Sequence, residues 1–211
     1  MSERARAKRL IGAIYSGAAD KLYDPLIVNG AFKLFGRNLN ALVLEQGQAA
    51  VAAAGTLPIL DMPVGTGYFA TEVARRHGGI VVGADIARGM VVEAAQRARR
   101  AGLGNLSAVQ ADAHHLPFPD ATFGAVLCSN GLQVMPGLEA AVRELERVLA
   151  PGGTLFASVI TLPLDVALPA RWSDRLPTMF RSGGEVADAL NLPAPTIRRE
   201  RLATLIEARK P

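Results

Sequence analysis

The chain has 211 residues, half of them hydrophobic, a formal charge of +4 and one cysteine, Cys128. That length favours a single domain with a sizeable core, and a lone cysteine excludes an internal disulfide and spells no metal cluster, which suits a reducing cytoplasm. The basic clusters (Arg4, Arg6, Lys8 and Arg9; Arg97, Arg99 and Arg100; Arg198, Arg199 and Arg201) have no interleaved aromatics, so a single-stranded nucleic-acid partner is excluded.

Those clusters read as solvated surface and helix-end cations, or as contact with an anionic membrane surface or an acidic substrate. The charged N-terminus is followed by no apolar segment with a cleavage site, so no leader is expected and the expected compartment is the cytoplasm. Residues 121–138 carry no charge, but their glycines, Asn130, Gln133 and Pro136 do not suit a membrane span. Helical spacing runs over residues 3–22 and 26–35, broken at Asp24-Pro25, and over 38–54, stopped by Gly55. A strand over Pro58–Asp61 follows, then a helix over Tyr68–His77 stopped by Gly78-Gly79. Next come a buried strand over Ile80–Ala84, a helix over Gly89–Ala101, and strands over Leu106–Gln110 and Phe123–Ser129. A helix over Glu139–Leu149 is broken by Pro151-Gly152-Gly153, and Thr154–Ile160 is the fifth strand. Beyond residue 161, helices are expected over 171–180 and 184–190, and two close strands over 196–202 and 204–209. Strand–helix alternation predicts an α/β fold with a mostly parallel sheet covered on both faces and an antiparallel edge pair.

The segment "ILDMPVGTGYFA", residues 59–70, carries the spacing Gly65-x-Gly67-x-x-Ala70, which fits a dinucleotide turn and other nucleoside sites. Three successive strands end in or beside carboxylates: Asp61, Asp85 and Asp112. In an open α/β sheet, ligands sit outside these strand ends. Asp85 suits both ribose hydroxyls. Asp112, unless it only caps its turn, suits the adenine amine, and the Ala113 N–H suits a ring nitrogen. Asp61 precedes the turn and would be a poor neighbour for pyrophosphate but a good one for a cation. A ligand with an ammonium group, a sulfonium, a ribose and an adenine fits this acidic rim. S-adenosyl-L-methionine has all four, and its carboxylate has backbone N–H groups to meet near Tyr68.

Four motifs in order then resemble class I S-adenosylmethionine-dependent methyltransferases, over roughly residues 15–160. They are "LDMPVGTG", "VVGADIARGM", "ADAHHLPFPDATFGAVLCSNGLQVMP" and "RVLAPGGTLF". The resemblance implies a Rossmann-like seven-stranded sheet ending in a C-terminal hairpin. "IYSGAADKLYDPLIVNGAFKLFGR" is similar to the N-terminal segment of the ubiquinone/menaquinone biosynthesis methyltransferases, which implies a lid over residues 1–35. The rest of the single domain 1–211 then divides into a cofactor-binding core, 56–161, and C-terminal helices and edge strands, 162–211. Carried over motif by motif, the cofactor contacts fall on Thr66, Asp85, Asp112, Ala113 and Ser129; Asp61, Gly65, Gly67 and Ile86 complete the expected cofactor-binding residues. Pro63 and Val64 depart from the first motif. "GLQV" at 131–134 and "ASVITL" at 157–162 lack the arginine, asparagine and glutamate of the quinone enzymes.

The expected activity is methyl transfer to a small, apolar or lipid-like acceptor entering between the lid and the 130–136 turn. Tyr15, Tyr23, Gln133 and Met135 are the substrate-side candidates, and packing accounts for the tyrosines equally well. His114 or His115 offers a base near neutrality, but in-line methyl transfer needs none in general, and no catalytic residue is assigned. The rival readings are a non-catalytic S-adenosylmethionine-binding module and an NAD(P)-dependent oxidoreductase. No metal is expected, and the sequence leaves the oligomeric state open.

Overall fold

The computed structural model describes residues 37–160, 181–200 and 203–211. The expected lid, its helices, Tyr15, Tyr23 and the helix over 171–180 lie outside them. The elements in chain order are α1 (Arg37–Ala54), β1 (Ile59–Asp61), α2 (Tyr68–Ala74), β2 (Val81–Asp85), α3 (Arg88–Arg100), β3 (Leu106–Gln110) and β4 (Phe123–Ser129). A 3-10 turn (Leu132–Val134), α4 (Leu138–Val148), β5 (Leu149–Ile160), α5 (Gly183–Asp188), β6 (Thr196–Glu200) and β7 (Ala203–Arg209) follow.

The seven strands form one sheet in the order β3-β2-β1-β4-β5-β7-β6. The first five are mutually parallel, and β7 runs antiparallel to both β5 and β6. The chain therefore reverses direction across the sheet between β1 and β4, the switch point at which such sheets bind ligands. Strand alternation sorts the core into two layers. Ile59, Val81, Ala125, Leu127 and Phe156 pack with the alanines of α1, α2 and α3. Leu60, Val126, Cys128, Leu155, Ala157 and Ile206 face the other way, against Leu138, Val142 and Leu145 of α4 and Val186 near the C-terminal edge. By the same alternation Asp61, Asp85 and Ser129 end their strands on the α1–α3 face.

Two boundaries differ from the sequence expectation for tertiary reasons. α2 stops at Ala74 rather than His77. His77 lies beyond its end, buried, with Nε2 at 3.0 Å from the Leu57 carbonyl oxygen. It staples the loop entering β1 instead of completing a helix. β5 begins at Leu149, five residues early, because Pro151-Gly152-Gly153 bulges within the strand rather than ending it. Gly152 takes a left-handed φ of 74°, which a side chain disfavours. The backbone still pairs: the Gly152 N–H donates to the Lys210 carbonyl at 3.0 Å, and the Lys210 N–H to Gly153 at 2.9 Å.

Arg147 explains why "LPFPD" precedes β4. From α4 its guanidinium donates to the carbonyls of Leu116 (3.0 Å) and Phe118 (2.9 Å) and to Asp120 (2.6 Å), while Glu144 accepts the Leu116 N–H (2.8 Å). Glu144 also pairs with Arg147, which holds its carboxyl below the usual range. One helix face thus fixes the loop after β3. At the C-terminal side, Ser182 and Glu185 form a reciprocal capping box that starts α5.

Candidate active site at the strand ends

The glycine turn after β1 is built against its neighbours on three sides. The Val64 N–H donates to the Ala84 carbonyl at 2.8 Å, and the Gly67 N–H closes back on Val64 at 3.0 Å. Val64, larger than the usual residue there, fits because a Cβ on Gly83 of β2 would stand 2.5 Å from its Cγ2. Gly67, with φ at 77°, touches α3 so closely that a Cβ would lie 2.9 Å from the Ala94 backbone. Gly65 also has a positive φ, 54°, but a Cβ there would meet nothing within 4 Å. The turn is therefore packed below at Gly67 and open above at Gly65. Thr66 is buried, and its carbonyl accepts from Arg97 Nε at 2.9 Å. That guanidinium also lies 5.9 Å from the Tyr68 ring centroid, a cation–π contact that pins the start of α2 to α3.

Pro63 has a partner of its own. A Cβ added at Gly131, just past β4, would stand 2.2 Å from Pro63 Cδ and 3.1 Å from Met135 Cε. The proline ring thus takes the space a side chain would need, and Pro63, Gly131 and Met135 stack across the β1–β4 switch point. Gly131→Ala is expected to lower stability by about 1–3 kcal/mol through overpacking, read by chemical denaturation. An unchanged midpoint would contradict the stacking.

Asp85 is 6% exposed. Its Oδ2 accepts the Gly65 N–H at 3.0 Å and its Oδ1 the Ala87 N–H at 2.9 Å. Burial raises its pKa, against the lowering effect of N–H groups of Ala87, Gly65 and Ile86. The Ile86 carbonyl accepts from Gln110 Nε2 at 3.0 Å. Asp61 is 2% exposed and, among the described residues, has no hydrogen-bond or ion-pair partner. Burial, with the Asp85 carboxylate beside it, pushes its pKa up to about 8. Two carboxylates thus share the switch point on the α1–α3 face. Cys128 is fully buried, and its thiol is pushed up to about 12 chiefly by burial, so it is an inert core residue.

After β3, Asp112 Oδ1 accepts the His114 N–H at 3.0 Å and lies 2.7 Å from His114 Nδ1. Ala113 is buried, and its N–H finds no acceptor among the described residues. His115 is exposed. Ser129 is half-buried at the end of β4, opposite Ser158. Gln133 is buried, with Oε1 accepting the Ile160 N–H at 2.7 Å, so it brackets the 3-10 turn to the end of β5. Arg181 donates through its backbone N–H to the Gln133 carbonyl (3.0 Å) and through Nη1 to the Met135 carbonyl (2.8 Å). The strand ends thus gather Asp61, the 65–67 turn, Asp85, Ile86, Asp112, Ala113 and Ser129 around one rim, with Gln133 and Met135 on the turn beside it. Sequence reasoning missed the second row: Arg97, Gly131, Arg181 and the His114 bridge. In the sequence Arg97 was legible only as a helix-end cation and His114 only as a candidate base, not as contacts that brace the rim.

Residues 59–153 match the family described as Methyltransferase domain. The ubiquinone/menaquinone biosynthesis C-methyltransferase UbiE of Haemophilus ducreyi is 39% identical over 163 residues, covering 74% of this chain and 60% of that protein. The chain spans about three fifths of the length of the curated relatives it matches, 59% and 60% for the first two. Among solved structures, the [4+2]-cyclase SpnF aligns with a TM-score of 0.66 at 22% identity, covering 80% of each chain. Geranyl diphosphate methyltransferase in complex with SAM aligns at 0.65 and 16%, covering 80% of this chain and 85% of the other. These two likenesses speak to the fold.

Proposed function

We propose that this chain, whose residues 59–153 are a class I S-adenosylmethionine-dependent methyltransferase domain similar to UbiE, moves a methyl group onto a small apolar ring acceptor. The observation that carries the reading is Asp61: a buried carboxylate at the switch point without a hydrogen-bond partner among the described residues. Left alone, such a group is costly to ionise, whereas an ammonium group placed against it supplies the missing charge.

Three further features fit the cofactor. The space above Gly65 is open where the backbone would pass beneath a ligand. Asp85 keeps a second lone pair on each oxygen after accepting its backbone donors, enough for two ribose hydroxyls. The buried Ala113 N–H lacks an acceptor among the described residues, which an adenine ring nitrogen would provide, while Asp112, with its side chain 31% exposed, suits the exocyclic amine. When bound, S-adenosylmethionine supplies a methyl group already activated on a sulfonium. The protein's share is therefore binding, alignment and exclusion of water. Asp61 and Asp85 fix the two ends of the ligand's polar half, the 65–67 turn sets its height over the sheet, and the Pro63–Gly131–Met135 stack gives the acceptor side a rigid, apolar wall. His114 has both ring nitrogens engaged, so it is not an available general base.

The acceptor class rests on the relatives, which are named for C-methylation in quinone biosynthesis, and on the half-buried Val134 and Met135 along the turn. No described helix is long and apolar enough to cross a membrane. The test is S-adenosylhomocysteine release with a panel of acceptors. A reduced 1,4-naphthoquinone or a phenol should be turned over and free sugars should not, and the reverse pattern would overturn the acceptor class. The cyclase neighbour shows that the fold does not fix the reaction. Tight cofactor binding with no methyl transfer to any acceptor would favour the non-catalytic module instead.

A further inference from the structure

We propose that the cleft between α1 and the β7–β6 edge of the sheet is a second ligand site, one that takes a small organic cation. It shares no residue with the rim at the strand ends and does not depend on the function proposed for that rim.

The cleft follows from the way the helices cover the sheet. On the α1–α3 face, α1 packs on β4 and β5, while α2 and α3 pack on β2 and β3. Strands β7 and β6 lie beyond β5, and all five residues of β6 are exposed. The register puts Phe156, Glu207 and Thr196 side by side across β5, β7 and β6, with Ser158, Leu205 and Arg198 in the next row. Paired residues share a face, and Phe156 packs in the α1–α3 layer, so both rows face α1. A cavity of about 160 Å³ lies between these strands and Glu45, Gln46 and Ala49 of α1. That is room for a ligand of several heavy atoms, since one water needs only roughly 10–15 Å³.

The lining selects the ligand's charge. Gln46 is 7% exposed. Its Nε2 donates to the Ala157 carbonyl at 3.0 Å, and a carbonyl only accepts, so the orientation of the amide is fixed. Gln46 Oε1 is left without a donor among the described residues, in a side chain that lines the cavity. Glu207 lines it too, and its carboxylate has no hydrogen-bond or ion-pair partner among the described residues. The guanidinium in the lining is already spent. Arg198 donates to both oxygens of Glu45, at 2.9 and 3.0 Å, and lies 3.7 Å from Glu200, so it bridges the cleft from β6 to α1. Arg209, two residues past Glu207, is turned to the Gly152 carbonyl at 3.1 Å. The open positions are therefore two acceptors, one of them charged, beside the apolar Phe156 and Leu205. An anion would meet the Glu207 carboxylate and have only the Thr196 hydroxyl as a donor. A neutral apolar ligand would leave both acceptors without partners. A primary ammonium on a short apolar body satisfies both and fills the space.

Backbone-amide NMR on the full-length protein, titrated with benzylamine, tests the assignment. Benzylamine should shift the amides of Ala49, Thr196 and Glu207 saturably, and benzyl alcohol and benzoate should do so far more weakly. Glu207→Gln keeps the shape of the side chain and removes its charge, and it should weaken benzylamine about fivefold. Ala49→Leu should abolish the shifts by filling the cavity. No saturable shift with benzylamine overturns the proposal. So do equal shifts with benzyl alcohol or benzoate, or unchanged affinity in Glu207→Gln. The wild-type titrations decide the matter even if Ala49→Leu folds poorly. No arm contains S-adenosylhomocysteine, so the outcome is independent of the strand-end site.

Discussion

Between pH 4 and pH 8 the ligand-free protein is expected to lose stability through Asp61, by as much as roughly 5 kcal/mol. Folding buries this carboxyl beside Asp85 and raises its pKa from the ordinary 3.8 to about 8. Over that window the folded state holds a proton that the unfolded state has released. The contribution is complete below pH 3.8 and disappears as pH rises through about 8. Asp61→Asn removes the ionisable group while keeping its shape, so its stability should be nearly flat over the same range, apart from a smaller slope of the same sign from Asp85. Urea denaturation at pH 5.5 and pH 8.0 checks this. Parallel pH dependence in the wild type and Asp61→Asn would show that Asp61 titrates normally.

Asp85→Ala is expected to weaken S-adenosylhomocysteine binding by about two orders of magnitude or more. The loss combines the ribose contacts with the disordering of the glycine turn, whose Gly65 N–H and Ala87 N–H groups lose their acceptor. Each charge-assisted bond is worth roughly 1.5–3 kcal/mol, and two of them exceed the 2.7 kcal/mol of a hundredfold change. Stability should fall less than affinity, because the substitution also ends the desolvation cost of a buried carboxylate. Asp85→Asn should lie between: one oxygen still accepts, while the amide NH2 faces a backbone N–H. Calorimetry on the three proteins makes the comparison, and equal affinity for wild type and Asp85→Ala would remove Asp85 from the site.

The sequence showed the α/β alternation clearly, because strands such as Ile59–Asp61 and Val81–Asp85 are short apolar runs ending in a carboxylate and a turn. The edge hairpin was visible too, since only a short link separates the two C-terminal strands. What escaped was set by contacts between distant residues. The end of α2 depends on His77 reaching Leu57, 20 residues away. The early start of β5 depends on Gly152 pairing with Lys210. Pro63 stood out in the sequence as a departure from the first motif, and the structure shows why it is tolerated: Gly131 leaves room for its ring. The three acidic strand ends were legible as residues but not as environments. Asp85 is surrounded by backbone N–H groups and Asp112 by His114, while Asp61 has neither, and that difference follows from packing alone. The substrate-side residues Tyr15 and Tyr23 lie outside the described residues.

The most direct test of the account is isothermal titration of the wild type with S-adenosylhomocysteine at pH 7 in two buffers of different ionisation enthalpy. A protonated Asp61 must give up its proton to accept an ammonium group, so binding should release close to one proton per site, and the apparent enthalpy should differ between the buffers by that amount. Asp61→Asn should bind more weakly and release none. Binding with no buffer dependence, or the same proton release from Asp61→Asn, would contradict the placement of the ammonium group on Asp61. No binding at all would contradict the cofactor site itself.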